Sequence, residues 1–132
     1  MPDHSAHPRG GRILVVDDEP HIRRVLTTIL SNEGFEVEEA VDGTEGMEVV
    51  QSDAPFDFIL LDFMMPGATG LEILARVRAS EHRSDTPVII LTAKGQDTDR
   101  MAALAGGAND FLTKPFSPKK LVARIHEILD ES

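Results

Sequence analysis

Four separated stretches of this chain carry side chains suited to hard cations and phosphoryl groups. Asp17 and Asp18 stand together before Glu19, Asp62 precedes a Met-Met-Pro-Gly loop, Thr92 ends the run VIILT, and Lys114 adjoins Pro115. Each has an ordinary structural explanation when taken singly. Acids ahead of Pro20 suit a helix N-terminus, which favours negative charge. An Asp before Pro-Gly suits turn chemistry, Thr92 a capping hydroxyl, and Lys114 a solvated strand end. Their chemistry sharpens if folding gathers them. Two carboxylates about 5 Å apart at an effective dielectric of about 20 repel by about 3 kcal/mol, and three make three such pairs. One of them must then hold a proton unless a cation intervenes. A ligand set of hard oxygens, with neither His nor Cys, suits Mg²⁺. Lys114 adds a fixed positive point. Such a pocket attracts a phosphoryl group, whose oxygens the cation and Lys114 neutralise while Thr92 donates a hydrogen bond. Asp62, between the acid pair and the Thr–Lys side, is the natural nucleophile, and its product is an aspartyl phosphate.

The elements that must position these residues alternate strand and helix about five times. Apolar, β-branched runs predict strands over 12–16, 36–40 (weaker), 58–61, 88–92 and 110–113. Helical spacing predicts helices over 20–30, from Thr44 as cap to about 52, over 70–80, about 98–105, and from Ser117 as cap to about 129. The third helix is expected to turn Leu71, Leu74, Ala75 and Val77 inward. Gly34 and Gly106-Gly107 are stop signals, and Asp42-Gly43 is a turn. Strands that are apolar on both faces are covered on both faces, so the architecture is a five-stranded parallel sheet with helices on either side. In such sheets, ligands bind beyond the carboxyl ends of the strands, where strand order reverses. Every strand except the second is followed at that edge by one of the residues above. In the order 2-1-3-4-5 the reversal sets Asp17 and Asp18 beside Asp62.

Composition narrows the function further. A chain of 132 residues with 41% hydrophobic residues has room for one domain with a real core. Residues 1–11 read as a flexible N-terminal arm and 12–130 as the domain. No apolar run approaches the roughly 20 residues of a membrane helix, and no signal-peptide pattern is present, so the expected location is the cytoplasm. Thirteen Lys and Arg against 23 Asp and Glu give a net charge of −10, which argues against direct binding of nucleic acid. The absence of cysteine excludes disulfides, thiolate metal sites and a cysteine nucleophile. The five histidines show no metal-ligand spacing, and Gly67 and Gly70 lack the Lys-Ser/Thr of a nucleotide loop.

Asp17-Asp18, Asp62, Thr92-Ala93 and Lys114-Pro115, with the loop Met65-Pro66-Gly67, resemble the receiver domain of two-component response regulators over nearly the whole chain. The resemblance implies a flavodoxin-like α/β fold of strand order 2-1-3-4-5 and Asp62 as phosphoacceptor. It implies Mg²⁺ held directly by Asp18, through water by Asp17, and also by Asp62 and the backbone carbonyl of Met64. It makes Thr92 the switch hydroxyl, Phe111 the accompanying aromatic switch, Lys114 the salt bridge to the phosphate, and Pro115 a cis proline. The implied donor is a sensor histidine kinase or a histidine phosphotransfer protein, and the implied output is a downstream protein reading the fourth helix, fifth strand and fifth helix. Such a chain accepts a phosphoryl group and is not expected to be a multiple-turnover enzyme. No output domain follows Leu129, which implies a stand-alone, chemotaxis-receiver-like regulator or a fragment of a longer protein.

Three departures qualify the resemblance. The aromatic on the fifth strand is Phe111 where Tyr is frequent, so it can move but carries no hydroxyl. Asp110 and Arg124 keep one ion pair of the family's common dimer, but Lys120 stands where Arg100 would need an acid, which counts against that dimer. Met64 and Lys94 hold the positions that steer the water attacking the phosphate, and Met64 offers it no useful hydrogen bond, which predicts slow self-dephosphorylation. Two other classes fit less well. A phosphatase of the haloacid dehalogenase kind needs a second Asp where Met64 stands, and a flavodoxin-like flavin binder needs a Thr/Ser-rich loop and stacking aromatics. Met101, Leu104 and Phe111 read as core packing more readily than as a partner face.

Overall fold

Alternation of apolar side chains along short strands decides which helix covers which face. The computed structural model describes residues 11–93 and 97–131, so the expected arm, apart from Gly11, and Lys94 lie outside the described residues. Along the chain run β1 (Arg12–Val16), α1 (Pro20–Asn32), β2 (Glu36–Ala40), α2 (Gly43–Val50), β3 (Phe58–Asp62), α3 (Gly70–Ala79), β4 (Val88–Thr92), α4 (Asp97–Ala105), β5 (Asp110–Thr113) and α5 (Pro118–Glu131). The strands form one parallel sheet in the order β2-β1-β3-β4-β5.

Successive strand residues face opposite layers. Leu14, Val16, Ile59, Leu61, Val88 and Ile90 pack with Val50 of α2, Ile73, Leu74 and Val77 of α3, and Ala103 of α4. Ile13, Val15, Phe58, Leu60, Ile89 and Leu91 pack with Leu26 and Leu30 of α1 and Leu121, Ile125 and Ile128 of α5. The central strands β3 and β4 are buried at every position. The edge strand β2 is charged instead, and Arg12 on β1 donates to Glu38 at 2.8 Å, a pattern that discourages pairing with further strands.

Local signals set the helix ends. Pro20 opens α1, and Gly34 beyond its last turn takes φ 94°, where a side chain would be strained. Asp42, not Thr44, caps α2, because its carboxylate accepts the Glu45 N–H at 2.9 Å. Thr69 and Glu72 form a reciprocal capping box at the start of α3. On that helix Ile73, not Ala75, joins Leu74 and Val77 in the core, and Ala75 is exposed.

Candidate functional site

Strand β1 delivers its chain to α1 on one face, and β3 delivers its chain to α3 on the other. The crevice between these departures holds the acids. Asp17, Asp18 and Asp62 each offer a carboxylate oxygen, and these atoms lie within 4.8 Å of one another. The register carries the same edge onward, with Asp62 opposite Leu91 and Thr92 opposite Thr113, one residue before Lys114. A cleft of about 520 Å³ opens there, with Asp18, Asp62, Met64, Thr92, Asp99 and Lys114 among its lining residues. All the polar groups singled out from the sequence are thus brought to this edge.

The three carboxylates differ in their surroundings. Asp17 is 1% exposed and fully engaged: Oδ1 accepts the Glu19 N–H at 2.9 Å and Oδ2 accepts Lys114 Nζ at 2.9 Å. Asp18 is exposed at the rim. Asp62 is buried, with Oδ1 3.4 Å from Lys114 Nζ. Burial, the Asp17 charge and the Asp18 hydrogen bond push the Asp62 carboxyl up to about 6 against the opposing pull of Lys114. Burial alone would lower the Lys114 ammonium, yet the hydrogen bond to Asp17 and the charges of both acids leave it raised. Lys114 therefore stays charged, and Asp62 is left in partial conflict with Asp17.

That donor set fits a small hard cation. All three ligand groups are carboxylate oxygens, and one ammonium does not offset three of them. Asp17, Asp18 and Asp62 would hold such an ion, which would offset their mutual repulsion.

The remaining residues surround this pocket. Thr92 is buried at the end of β4, and its carbonyl accepts the Lys114 N–H at 2.7 Å. The Lys114–Pro115 peptide is cis. Phe111 is buried and meets Phe63, two residues before Met65 in the loop after Asp62, edge-on at 5.9 Å. Met64 is 64% exposed. Met101 and Leu104, expected in the core with Phe111, are exposed on α4. Asp110 and Arg124 meet at 2.7 Å within the chain, and Arg100 donates to the Phe111 carbonyl. His126 stacks on Phe35, and His82 lies between Ser80 and the Ser52 carbonyl.

Sequence patterns did not single out Asp99, which reaches the cleft from α4, or Arg23, whose guanidinium donates to the Asp17 carbonyl at 2.7 Å. Both lie on helices whose orientation toward the acids is a tertiary property. The one available signal was that Arg23 stands about one turn into the helix that follows the acid pair.

Comparison with known proteins places these features among relatives. Residues 13–126 match the family model described as the response regulator receiver domain. The chain is 43% identical over 120 residues to the phosphate regulon transcriptional regulatory protein PhoB of Pseudomonas aeruginosa, covering 91% of this chain and 52% of that protein. It is 42% identical over 118 residues to the transcriptional regulatory protein ResD of Bacillus subtilis, covering 89% of this chain and 48% of that protein. The chain therefore spans about half the length of the curated relatives it matches. Among solved structures, the Francisella response regulator 1452 receiver domain superposes with a TM-score of 0.83 at 31% identity, covering 95% of this chain and 98% of that one. The Vibrio cholerae chemotaxis protein CheY4 superposes with a TM-score of 0.83 at 35% identity, covering 89% and 98%.

Proposed function

The chain belongs to the family of response regulator receiver domains, and on that footing we propose that Asp62 accepts the phosphoryl group that throws its switch. The observation that carries this reading is the gathering of Asp17, Asp18 and Asp62 at one edge of the sheet, with Lys114 reaching Asp17 and Asp62, in a cleft open to a donor. Asp18, Asp62 and the Met64 carbonyl would hold Mg²⁺ directly, with Asp17 acting through water. Bound there, the ion supplies neutralisation of the phosphoryl oxygens and relief of the carboxylate conflict.

The protein's own groups do the rest. A lone pair on Asp62 Oδ attacks phosphorus as the P–N bond to the donor's imidazole breaks, leaving an acyl phosphate on Asp62 and the electron pair on nitrogen. Lys114, held by Asp17, stays cationic and meets the new charge. Thr92 turns its hydroxyl toward the phosphoryl oxygens, and Phe111 moves into the space that Thr92 gives up. This biases an existing equilibrium of α4 and β5, the face that with α5 a downstream partner reads. The donor is a sensor histidine kinase or a histidine phosphotransfer protein, in the cytoplasm, and residues 12–130 form the acting unit. The chain is the acceptor and turns over no separate substrate.

Incubation with acetyl phosphate and Mg²⁺, followed by intact-mass measurement, tests this. Native protein gains one phosphoryl group and Asp62→Ala gains none. The same gain in the variant would move the nucleophile elsewhere.

A further inference from the structure

Arg23 stands one turn inside α1 and turns its guanidinium back toward β2, with its side chain 14% exposed. Nη1 donates to the backbone carbonyl of Asp17 at 2.7 Å, and Nε donates to Glu39 Oε1 at 3.3 Å. Thr27, one turn further along α1, donates its hydroxyl to Glu39 Oε2 at 2.9 Å, so both oxygens of that carboxylate are held. The next residue of β2, Ala40, accepts the Asp17 N–H at 3.3 Å. Asp17 is therefore fixed at its N–H, its carbonyl and its carboxylate. Asp18 follows directly on that carbonyl. Because the peptide is planar, the direction in which Asp18 leaves the backbone is tied to the orientation of the Asp17 carbonyl.

We propose that Arg23, braced by Glu39 and Thr27, is a positioning residue that fixes the 17–18 peptide, aims Asp18 at Asp62 and thereby sets the affinity of the site for a divalent cation. The inference rests on the metal-site assignment above and adds a residue outside the ligand set. It also has a distinctive sign. By charge alone a guanidinium near the pocket repels a cation, so removing it would tighten binding. Positioning acts in the opposite direction, since groups that orient ligands commonly govern affinity by an order of magnitude or more.

Calorimetric titration of metal-free, unphosphorylated protein with MgCl₂ separates the two, with native protein and Asp18→Asn as references. The expected result is that Arg23→Met binds Mg²⁺ roughly tenfold more weakly than native protein. Arg23→Lys keeps the charge but loses the fork that spans Asp17 and Glu39, and falls between them. Thr27→Val changes no charge and serves where Arg23→Met does not fold; it weakens binding by about twofold, the worth of one hydrogen bond acting through another. Urea unfolding in chelator records any general loss of stability separately from affinity. Native or tighter affinity in Arg23→Met, or in Thr27→Val if only that variant folds, overturns the positioning role if Asp18→Asn is weakened. Failure of native protein to bind Mg²⁺, or native affinity in Asp18→Asn, overturns the metal site and this inference with it.

Discussion

In the role proposed for it Asp62 must keep a lone pair uncommitted, and it does so at a cost in stability. Its partner Lys114 is shared with Asp17, which holds the shorter contact of 2.9 Å against 3.4 Å. Burial and the neighbouring acids therefore leave the folded Asp62 at about 6, against the ordinary 3.8. The sign follows from proton linkage. Below about pH 4 the group is protonated in both states and contributes nothing; as pH rises through the window up to about 6, the unfolded chain ionises first and the native state loses stability. Above that window the full penalty is about 3 kcal/mol. Metal-free Asp62→Asn should therefore be more stable than native protein at pH 8 by up to about 3 kcal/mol, with the difference vanishing near pH 4. Urea melts at the two pH values measure this, and equal stability at pH 8 would contradict it. The same variant should take up no phosphoryl group. On the proposed reading the Met64 thioether offers an attacking water no useful hydrogen bond, so Met64→Gln should shorten the lifetime of the aspartyl phosphate by about tenfold, as one hydrogen bond of about 1.4 kcal/mol would. Decay of the phosphorylated mass with time reports the effect.

Secondary elements carry these residues by contact as well as by direction. The first turn of α3 lies against the strand end that bears Asp62. Gly70 N–H donates to the Phe63 carbonyl at 2.9 Å, and a Cβ at Gly70 would collide with the Asp62 carbonyl oxygen. Because that obstacle is backbone, the strand end itself must shift. Gly70→Ala should lower stability by about 2 kcal/mol and slow labelling by acetyl phosphate even where the variant is fully folded. Unchanged labelling by folded variant would show that α3 does not place Asp62. Strand positions were plain in the sequence because burial on both faces leaves uninterrupted apolar runs such as VIILT, bounded by Pro87 and by the polar residues of the site. Helix caps were less plain, since Asp42 and Thr44 are both good capping residues and only the backbone of Asp42, extended at φ −163°, selects it. Ala75 against Ile73 was a choice of a few tens of degrees around one helix. Arg78 and Arg83 could not be read at all. They seal the edge opposite the site, Arg78 by donating to the carbonyls of Gly107 and Thr86 and Arg83 by donating to those of Val50 and Ser52, and all of these partners but Thr86 are distant in sequence.

For the molecule as a whole, the acids at the cleft belong to a chain carrying a net charge of −10. Two effects of an added cation must therefore be told apart. General screening relieves self-repulsion over the whole surface, grows smoothly with ionic strength, and does not depend on which salt is used. Occupation of one site by a ligand absent from the unfolded chain follows mass action, so the added stability grows as the logarithm of free ligand over Kd and reaches about 2.7 kcal/mol at about a hundredfold excess. The crowding of Asp17, Asp18 and Asp62 predicts that the second effect dominates at millimolar Mg²⁺. Thermal unfolding in MgCl₂, with NaCl added to hold ionic strength constant, should show the midpoint rising with Mg²⁺ even though total screening is fixed. Asp18→Asn removes an acid from the rim yet leaves most of the surface charge in place. It should abolish this rise while retaining the response to NaCl alone. A midpoint that follows ionic strength alone in both proteins would mean that the three acids gather without forming a cation site, and the phosphoryl chemistry built on them would lose its metal.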